Sequence, residues 1–499
     1  MASNTTALCK VIRASIFREY DIRGVVGQEL DEGVAAAIAT AYAGQLRARG
    51  QRDVVVGRDN RRSSPALAGA VGEALSRAGC RVIDIGTVVT PVFYFARVHY
   101  SVEGGVMVTA SHNPPHFNGF KLASGFGTMY GEEIQELWRA AQGLAEVAAG
   151  RGGGVGGTSH GPAGRVRGAA GVAGASRRTG KSAPVRRRPN GAYLCDLTGR
   201  LKLGPRHLKV AVDCGNGTAG YIAPDFLERL GCEVVPLYCN PDPSFPNHHP
   251  DPVQPANLRD LIALVRREKC DLGVAFDGDG DRLGVVDERG NILWGDIIMV
   301  LYWREVLAKH PGAEALIEVK CSQALFEEVE RLGGRPSFYR TGHSLIKARM
   351  REIGAPFAGE MSGHMFFADE YYGYDDALYA AGRLLRILSN SDRALSELVS
   401  DVPRYHSSPE TRVDCPDSDK FRVVEETRER FRRRYPVIDV DGARVLFPEG
   451  WGLIRASNTQ PALVLRCEAR TPAALREIAA ALSTELAGFP SVGIPEWEI

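Results

Sequence analysis

An α/β architecture of several domains follows from three features of the chain. Helical and strand patterns alternate along most of its length, the same order of elements returns three times, and each round ends in an unusually polar loop. The fold class predicted is three related α/β domains with mainly parallel mixed sheets, plus a C-terminal α+β domain, arranged around a central cleft. At 499 residues the chain has room for about three or four domains. Their boundaries are expected at 1–147, 192–292, 293–404 and 405–499, with a linker at 148–191.

The first unit reads as helix 33–49, strand 54–57, helix 65–79, strand 81–86, helix 91–100 and strand 106–110. The second has strands at 208–213, 232–238 and 272–276, separated by helical patterns at 220–230 and 257–268. The third has strands at 315–320, 336–340 and 356–359, separated by helices at 322–333 and 344–354. The last strand of each unit runs into Ser111, Asp277 and Glu360 respectively. Open α/β sheets bind ligands at the carboxyl ends of their strands, so each unit should present one loop to a shared cleft. The final hundred residues differ, with a strand, a long helix, two strands around Arg455 and a closing helix at 472–488.

Lys plus Arg (61) nearly equals Asp plus Glu (60), which argues against a nucleic-acid or membrane-surface protein. Ten cysteines stand singly, with no C-x-x-C pair, as reduced thiols of a cytoplasmic protein would. The N-terminus lacks the apolar core of a signal peptide, and no stretch is long and apolar enough to span a bilayer. Residues 148–189 are rich in Gly, Ala, Arg and Ser, lack acids and show no hydrophobic periodicity, so 148–191 is expected to be a disordered linker. Within it, Gly157-Thr-Ser-His-Gly161 and the glycines of 152–157 imitate catalytic and nucleotide motifs, yet neither follows a strand or opens a helix.

Four loops carry chemistry. In 106–121, VMVTASHNPPHFNGFK, an apolar strand ends at Ser111 and a double proline stops it, holding the hydroxyl on a rigid loop. For a lone Ser-His pair a polar turn is the plainer reading. Asp277-Gly-Asp-Gly-Asp-Arg282 brings three carboxylates within five residues, an arrangement a hard divalent cation would stabilise. An EF-hand needs Gly where Arg282 stands and helices where the flanks read as strands, so an open Mg²⁺ site is preferred. Gly359-Glu-Met-Ser-Gly-His364 offers Glu360 and Ser362 to sugar hydroxyls, and His364 to a phosphate or a proton. Upstream, Lys320 ends a strand and Arg340-Thr-Gly-His343-Ser344 opens a helix, an anion-binding terminus. Arg455-Ala-Ser-Asn-Thr-Gln-Pro461 offers a guanidinium, two hydroxyls and an amide as a phosphate cradle, or a polar hairpin turn. One competing signal is Gly215-Asn-Gly-Thr-Ala-Gly220, a Rossmann-like turn that would make the protein an NAD-linked enzyme. The expected acidic residue is missing after the next strand, and a close-packed turn explains the glycines better.

Together with FREYDIRG at 17–24 and FPNHHPDP at 245–252, these motifs resemble the α-D-phosphohexomutase superfamily, most closely its bacterial phosphomannomutase/phosphoglucomutase branch. The phosphoglucosamine mutase branch typically has Gln where Met361 stands and S-G-T where Ser457-Asn-Thr459 stands. The resemblance implies reversible interconversion of hexose 1-phosphate and hexose 6-phosphate through a hexose 1,6-bisphosphate, with glucose 1,6-bisphosphate as activator. It makes Ser111 the phosphoserine, its phosphate sharing Mg²⁺ with Asp277, Asp279 and Asp281. It adds Tyr20, Arg23, Arg282, Lys320, His343 and His364 as substrate contacts, beside Glu360 and Ser362 for hydroxyls and Arg455, Ser457, Asn458 and Thr459 for the non-reacting phosphate. Lys121 and His343 become the proton-transfer candidates. A monomer in the cytoplasm is expected, with sugar phosphates as its only partners. A catalytically inactive sugar-phosphate binder is disfavoured because the chemical loops keep their reactive groups. The 148–191 stretch departs from the family, either as a late insertion or as a reading-frame artefact.

Overall fold

The computed structural model describes residues 12–150, 184–457 and 460–499. Its three α/β units share one four-strand topology. In the first, the sheet order runs Phe117–Ser124, Gly104–Val108, Asp53–Arg58, Arg81–Thr87. In the second it runs Leu283–Asp287, Leu272–Phe276, Lys209–Asp213, Glu233–Leu237, and in the third Met365–Phe367, Phe357–Gly359, Glu314–Glu318, Arg335–Tyr339. The last three strands of each set are parallel, whereas the first is an antiparallel return from the chemical loop. Of these return strands only the one after the metal loop, Leu283–Asp287, was foreseen, as a flank of that loop; the other two were not. All three matter because each loop is anchored at both ends in its sheet.

Parallel strands covered on both faces should be apolar throughout, and Gly104–Val108, Leu272–Phe276 and Phe357–Gly359 are buried at every position. One apolar cluster runs through all three units. Helix Thr90–His99 of the first, helix Asn190–Arg200, helix Gly295–Lys309 and helix Ala377–Ser389 all contribute to it. Thr90–His99 is buried on nearly every face, as a helix lodged between units must be. The relative placement of the loops is therefore set by a continuous core. The outer face of the first sheet has a separate core, built from helices Glu32–Ala48 and Ser64–Arg77.

The C-terminal domain is an antiparallel sheet, ordered His406–Ser407, Ala462–Ala469, Gly450–Ala456, Ala443–Phe447, Val437–Ile438, with helices Lys420–Arg432 and Pro472–Leu486 packed on it. Trp451 and Leu453 pack instead with Val319 of the third unit.

The linker expected at 148–191 needs correction at both ends. Helix Glu132–Gly150 runs into its start. At its other end Val185–Arg186 adds a parallel edge strand to Ile83 and Asp84, and helix Asn190–Arg200 begins inside it. Tyr193 and Leu194 bury against the shared core, which gives the chain a reason to order there. The expectations for 151–183, including both imitation motifs, lie outside the described residues. Among the described residues all cysteines are free and no helix is long and apolar enough to cross a membrane.

Candidate active site

Ser111 has φ +50°, a left-handed conformation uncommon for a residue with a Cβ. Such a conformation costs of order 1–3 kcal/mol and persists only when its surroundings enforce it. Here the Ser111 N–H donates to Thr109 Oγ1 (2.9 Å), and its carbonyl accepts from Arg61 Nη2 (2.7 Å). The buried Arg61 guanidinium also donates to the carbonyls of Asn113, Pro114 and Phe117, holding the double-proline turn from beneath. Arg23 donates to the Ala110 carbonyl and to Asn113 Oδ1, both at 2.8 Å. The serine hydroxyl then points to the second unit, donating to Asp277 Oδ2 at 2.6 Å.

Asp277, Asp279 and Asp281 are fully buried, and one oxygen from each lies within 4.8 Å of the others. Burial, with Asp281 and Asp279 adding repulsion, pushes the Asp277 carboxyl well up. Burial also opposes ionisation of Asp279, but Lys121, the Thr90 hydroxyl and Arg23 together outweigh it and hold that group below the usual carboxylate range. Lys121 Nζ pairs with Asp281 and stands 3.1 Å from Asp279; burial disfavours its charge, yet the two carboxylates raise its pKa well above the ordinary value. Thr90 Oγ1, from the helix of the first unit, donates to Asp279 Oδ2 at 2.6 Å. One oxygen each of Asp279 and Asp281 remains buried without a hydrogen bond. Converging oxygens, mutual repulsion and unmatched acceptors fit a divalent cation. The flanks are strands Leu272–Phe276 and Leu283–Asp287, as an EF-hand would not have.

In the third unit, Glu360 Oε1 accepts from the Gly342 N–H (2.7 Å) at the start of helix His343–Ile353. The anion expected at that terminus is thus partly supplied by the protein itself. Burial raises the Glu360 carboxyl, against the opposing pull of His364. His364 Nε2 accepts from Arg282 Nε (3.0 Å), His343 stacks on His364 at 5.4 Å, and Tyr20 lies edge-on to His343 at 4.8 Å. Burial, then Lys347, pushes His343 well below the usual imidazole value, so its ring is neutral near pH 7. Burial raises the Tyr20 phenol to about 12, keeping its hydrogen available. Ser362 Oγ is 3.4 Å from Glu360 Oε2.

The fourth domain closes the cleft. Arg455 Nε donates to Asp441 Oδ2 (2.9 Å), which also accepts from the Thr341 N–H (3.0 Å) of the third unit, while Arg455 Nη2 is buried without a partner. Lys320 Nζ pairs with Glu410 (2.9 Å) and Glu318 (3.4 Å). Ser457 accepts from Gln460 N at its hydroxyl and from Lys420 Nζ at its carbonyl. Asn458 and Thr459 lie outside the described residues. Every other substrate-side residue expected from the sequence, with Ser111 and Lys121, lines one cleft of about 1720 Å³. The metal-loop carboxylates sit behind Ser111.

Arg61, Thr90, Glu318, Glu410 and Asp441 escaped the sequence reading. Arg61 alone left a trace, in a polar loop after the strand Asp53–Arg58; the acids stand in ordinary contexts and acquire partners only through folding. The glycines at 215–220 serve close packing. A Cβ on Gly217 would lie 3.1 Å from Gly278 of the metal loop, and one on Gly220 only 2.3 Å from the Cys239 carbonyl oxygen.

Three α/β domains and a C-terminal α+β domain, each giving one polar loop to a common cleft with a hydroxyl, a carboxylate trio and a cationic cradle, define a multidomain enzyme for a polar, anionic ligand. The comparisons identify the family. Models of phosphoglucomutase/phosphomannomutase α/β/α domains I, II and III match 14–146, 192–290 and 294–405, and the C-terminal domain model matches 410–485. The chain is 42% identical to a phosphomannomutase/phosphoglucomutase of Pseudomonas aeruginosa over 98% of each chain. It is 41% identical to a phosphoglucomutase of Neisseria gonorrhoeae over 94% of this chain and 95% of that one. A phosphoglucomutase/phosphomannomutase family structure from Burkholderia thailandensis superposes with a TM-score of 0.85 at 40% identity, covering 97% of this chain and all of the other. The chain belongs to the phosphoglucomutase/phosphomannomutase family.

Proposed function

We propose that this protein is a phosphohexomutase that interconverts the 1-phosphates and 6-phosphates of glucose and mannose, with Ser111 carrying the transferred phosphoryl group. The observation that carries this reading is the Ser111 hydroxyl, held in a left-handed turn 2.6 Å from Asp277, in a cleft also lined by Lys320 and Arg455. A single reactive serine and a separate cationic cradle suit a sugar that must react at either end while its other phosphate is held.

Asp277, Asp279 and Asp281, with an oxygen of the phosphoserine, would hold Mg²⁺, which when bound neutralises charge on the phosphoryl group. In the forward step a sugar hydroxyl attacks phosphorus and the P–O bond to Ser111 breaks, leaving a bisphosphate. His343, neutral in its buried setting, accepts the hydroxyl proton. Lys121, kept protonated by its two carboxylates, supplies a proton to the departing serine oxygen. The bisphosphate then turns over in the cleft, and its other phosphate returns to Ser111 by the reverse chemistry. Tyr20, Arg23, Arg282 and His364 line the path. Glu360 and Ser362 suit the hydroxyls common to both orientations, and Arg455 with Ser457 to Thr459 suits the non-reacting phosphate.

The test is turnover of glucose 1-phosphate, mannose 1-phosphate and glucosamine 1-phosphate with Mg²⁺ and a trace of glucose 1,6-bisphosphate. Turnover of the first two, abolished in Ser111→Ala, is expected. Activity on glucosamine 1-phosphate alone would move the protein to the phosphoglucosamine branch, and no activity on any would overturn the mutase reading.

A further inference from the structure

Strand Glu314–Glu318 is the middle one of the third unit's three parallel strands, paired with Arg335–Tyr339 on one side and Phe357–Gly359 on the other. Each neighbour runs on into a loop that lines the cleft, one through Thr341 and His343, the other through Glu360 and Ser362. The middle strand ends in Glu318, an acid that is fully buried and takes no part in the cleft wall. The transfer chemistry does not use it.

Its two oxygens divide between the two loops. Oε1 accepts from the Thr341 hydroxyl at 2.6 Å, and Oε2 accepts from the Met361 N–H at 3.0 Å. Lys320, two residues further along, places its Nζ 3.4 Å from Oε1 and offsets the buried charge. The loops also meet directly, where Glu360 Oε1 accepts from the Gly342 N–H at 2.7 Å. Glu360 is thus fixed twice, its side chain by the helix start and the peptide that follows it by Glu318. Within the same loop the Glu360 N–H donates to the His364 carbonyl (2.8 Å) and the Gly363 N–H to the Glu360 carbonyl (3.0 Å). The turn is closed on itself, and the Met361 bond ties it to the middle strand. Asp59 has a comparable place in the first unit, just after the middle strand Asp53–Arg58. It accepts from the Arg61 N–H and from Arg61 Nε, both at 3.1 Å, and Arg61 in turn braces the serine loop.

We propose that Glu318 is a positioning residue for the sugar end of the cleft: one carboxylate ties the loops after both neighbouring strands to the middle strand, so that Glu360, Ser362 and Lys320 stand at fixed spacing before a ligand arrives. A carboxylate accepts at both oxygens, so it serves a hydroxyl and an N–H at once, and bonds to a charged acceptor are stronger than neutral ones. Groups set in advance spare the ligand the cost of ordering the loops, which lowers KM without changing kcat. The inference deepens the mutase reading and rests on it for the identity of the ligand, although the order of the loops does not.

Glu318→Gln keeps the size of the side chain, yet an amide that accepts from Thr341 turns its NH₂ group toward the Met361 N–H. Positioning predicts KM for glucose 1-phosphate higher by about 10- to 100-fold. With Ser111 and the metal loop in other units, kcat and the Mg²⁺ titration should stay within about threefold of wild type. A merely structural role predicts the reverse, a lower melting point and a smaller active fraction, hence lower kcat at unchanged KM. A KM within about threefold of wild type in the folded variant would overturn the proposal. Amide exchange in the unmutated full chain guards against a variant that fails to fold. Followed by mass spectrometry over residues 359–364, exchange should be slow without ligand and remain so when glucose 1-phosphate is added. Exchange as fast as in an unstructured peptide, without ligand, would overturn the proposal. This measurement needs no turnover, so a slowly exchanging loop in a chain that turns over no sugar phosphate defeats the mutase reading alone.

Discussion

Gly278→Ala probes the junction on which phosphoryl transfer should depend. The metal loop and the serine loop meet there so closely that a Cβ would stand 2.2 Å from the Ser111 carbonyl oxygen and 3.1 Å from its carbonyl carbon. The backbone at Gly278 is not left-handed, so the effect of the substitution is purely one of space. A relaxed carbon–oxygen contact is about 3.3 Å, which requires the loops to part by about 1 Å. The carbonyl cannot swing aside, because Arg61 Nη2 holds it at 2.7 Å. The same separation carries Ser111 Oγ, now 2.6 Å from Asp277, beyond hydrogen-bond range. A misplacement of about 1 Å in a reacting group costs about 10²-fold in rate, or about 2.7 kcal/mol in the barrier. Steady-state kcat on glucose 1-phosphate, at saturating Mg²⁺ and bisphosphate, reads this directly. Gly143→Ala, where nothing lies within 4 Å of the new Cβ, should remain at the wild-type rate. A Gly278→Ala enzyme within threefold of wild type would refute the idea that the two loops must stay in contact.

Three further outcomes are expected. Asp279→Asn removes one charge from the trio and should raise the Mg²⁺ concentration for half-maximal rate by about tenfold or more; an unchanged metal titration counts against the site. Lys121→Met leaves buried carboxylates without their cation, a loss of about 3–5 kcal/mol that should appear as a lower melting point in chelator and be partly recovered with Mg²⁺. Equal shifts in both conditions would mean that no ion shares those carboxylates. Burial raises Asp376 to about 6 despite its hydrogen bonds from Tyr379 N, Tyr371 and Tyr193. Because the folded value exceeds the unfolded one, this group's stabilisation is fully present below about 4 and is lost as pH rises through about 6. Relative to Asp376→Asn, wild type should therefore lose at most about 3 kcal/mol between pH 4 and 7, and a pH-independent difference in denaturant midpoints would contradict the shift.

Much of the protein could be read before folding was considered. Alternating periodicities placed strands such as Leu272–Phe276 and helices such as His343–Ile353 within a residue or two, because burial on both faces demands continuous apolar runs and a half-buried helix demands its repeat. The chemical loops were visible for a related reason. A loop that binds charge concentrates polar and glycine residues where the pattern of core-forming elements stops, as at Ser111, Asp277 and Glu360. The edge strand Val185–Arg186 was missed because its two residues carry no periodicity and it is ordered only by pairing with Ile83 and Asp84.

The sequence by itself determined where the polar loops lie and at which end of which strand they stand, since local pattern controls both. Only the tertiary structure decided how their groups face one another. Thr90 against Asp279, Arg61 beneath Ser111, and Asp441 between Thr341 and Arg455 each join residues from different elements of the fold. The charge state and orientation of a buried group depend on such neighbours and on exclusion from water, and neither exists until the domains have packed.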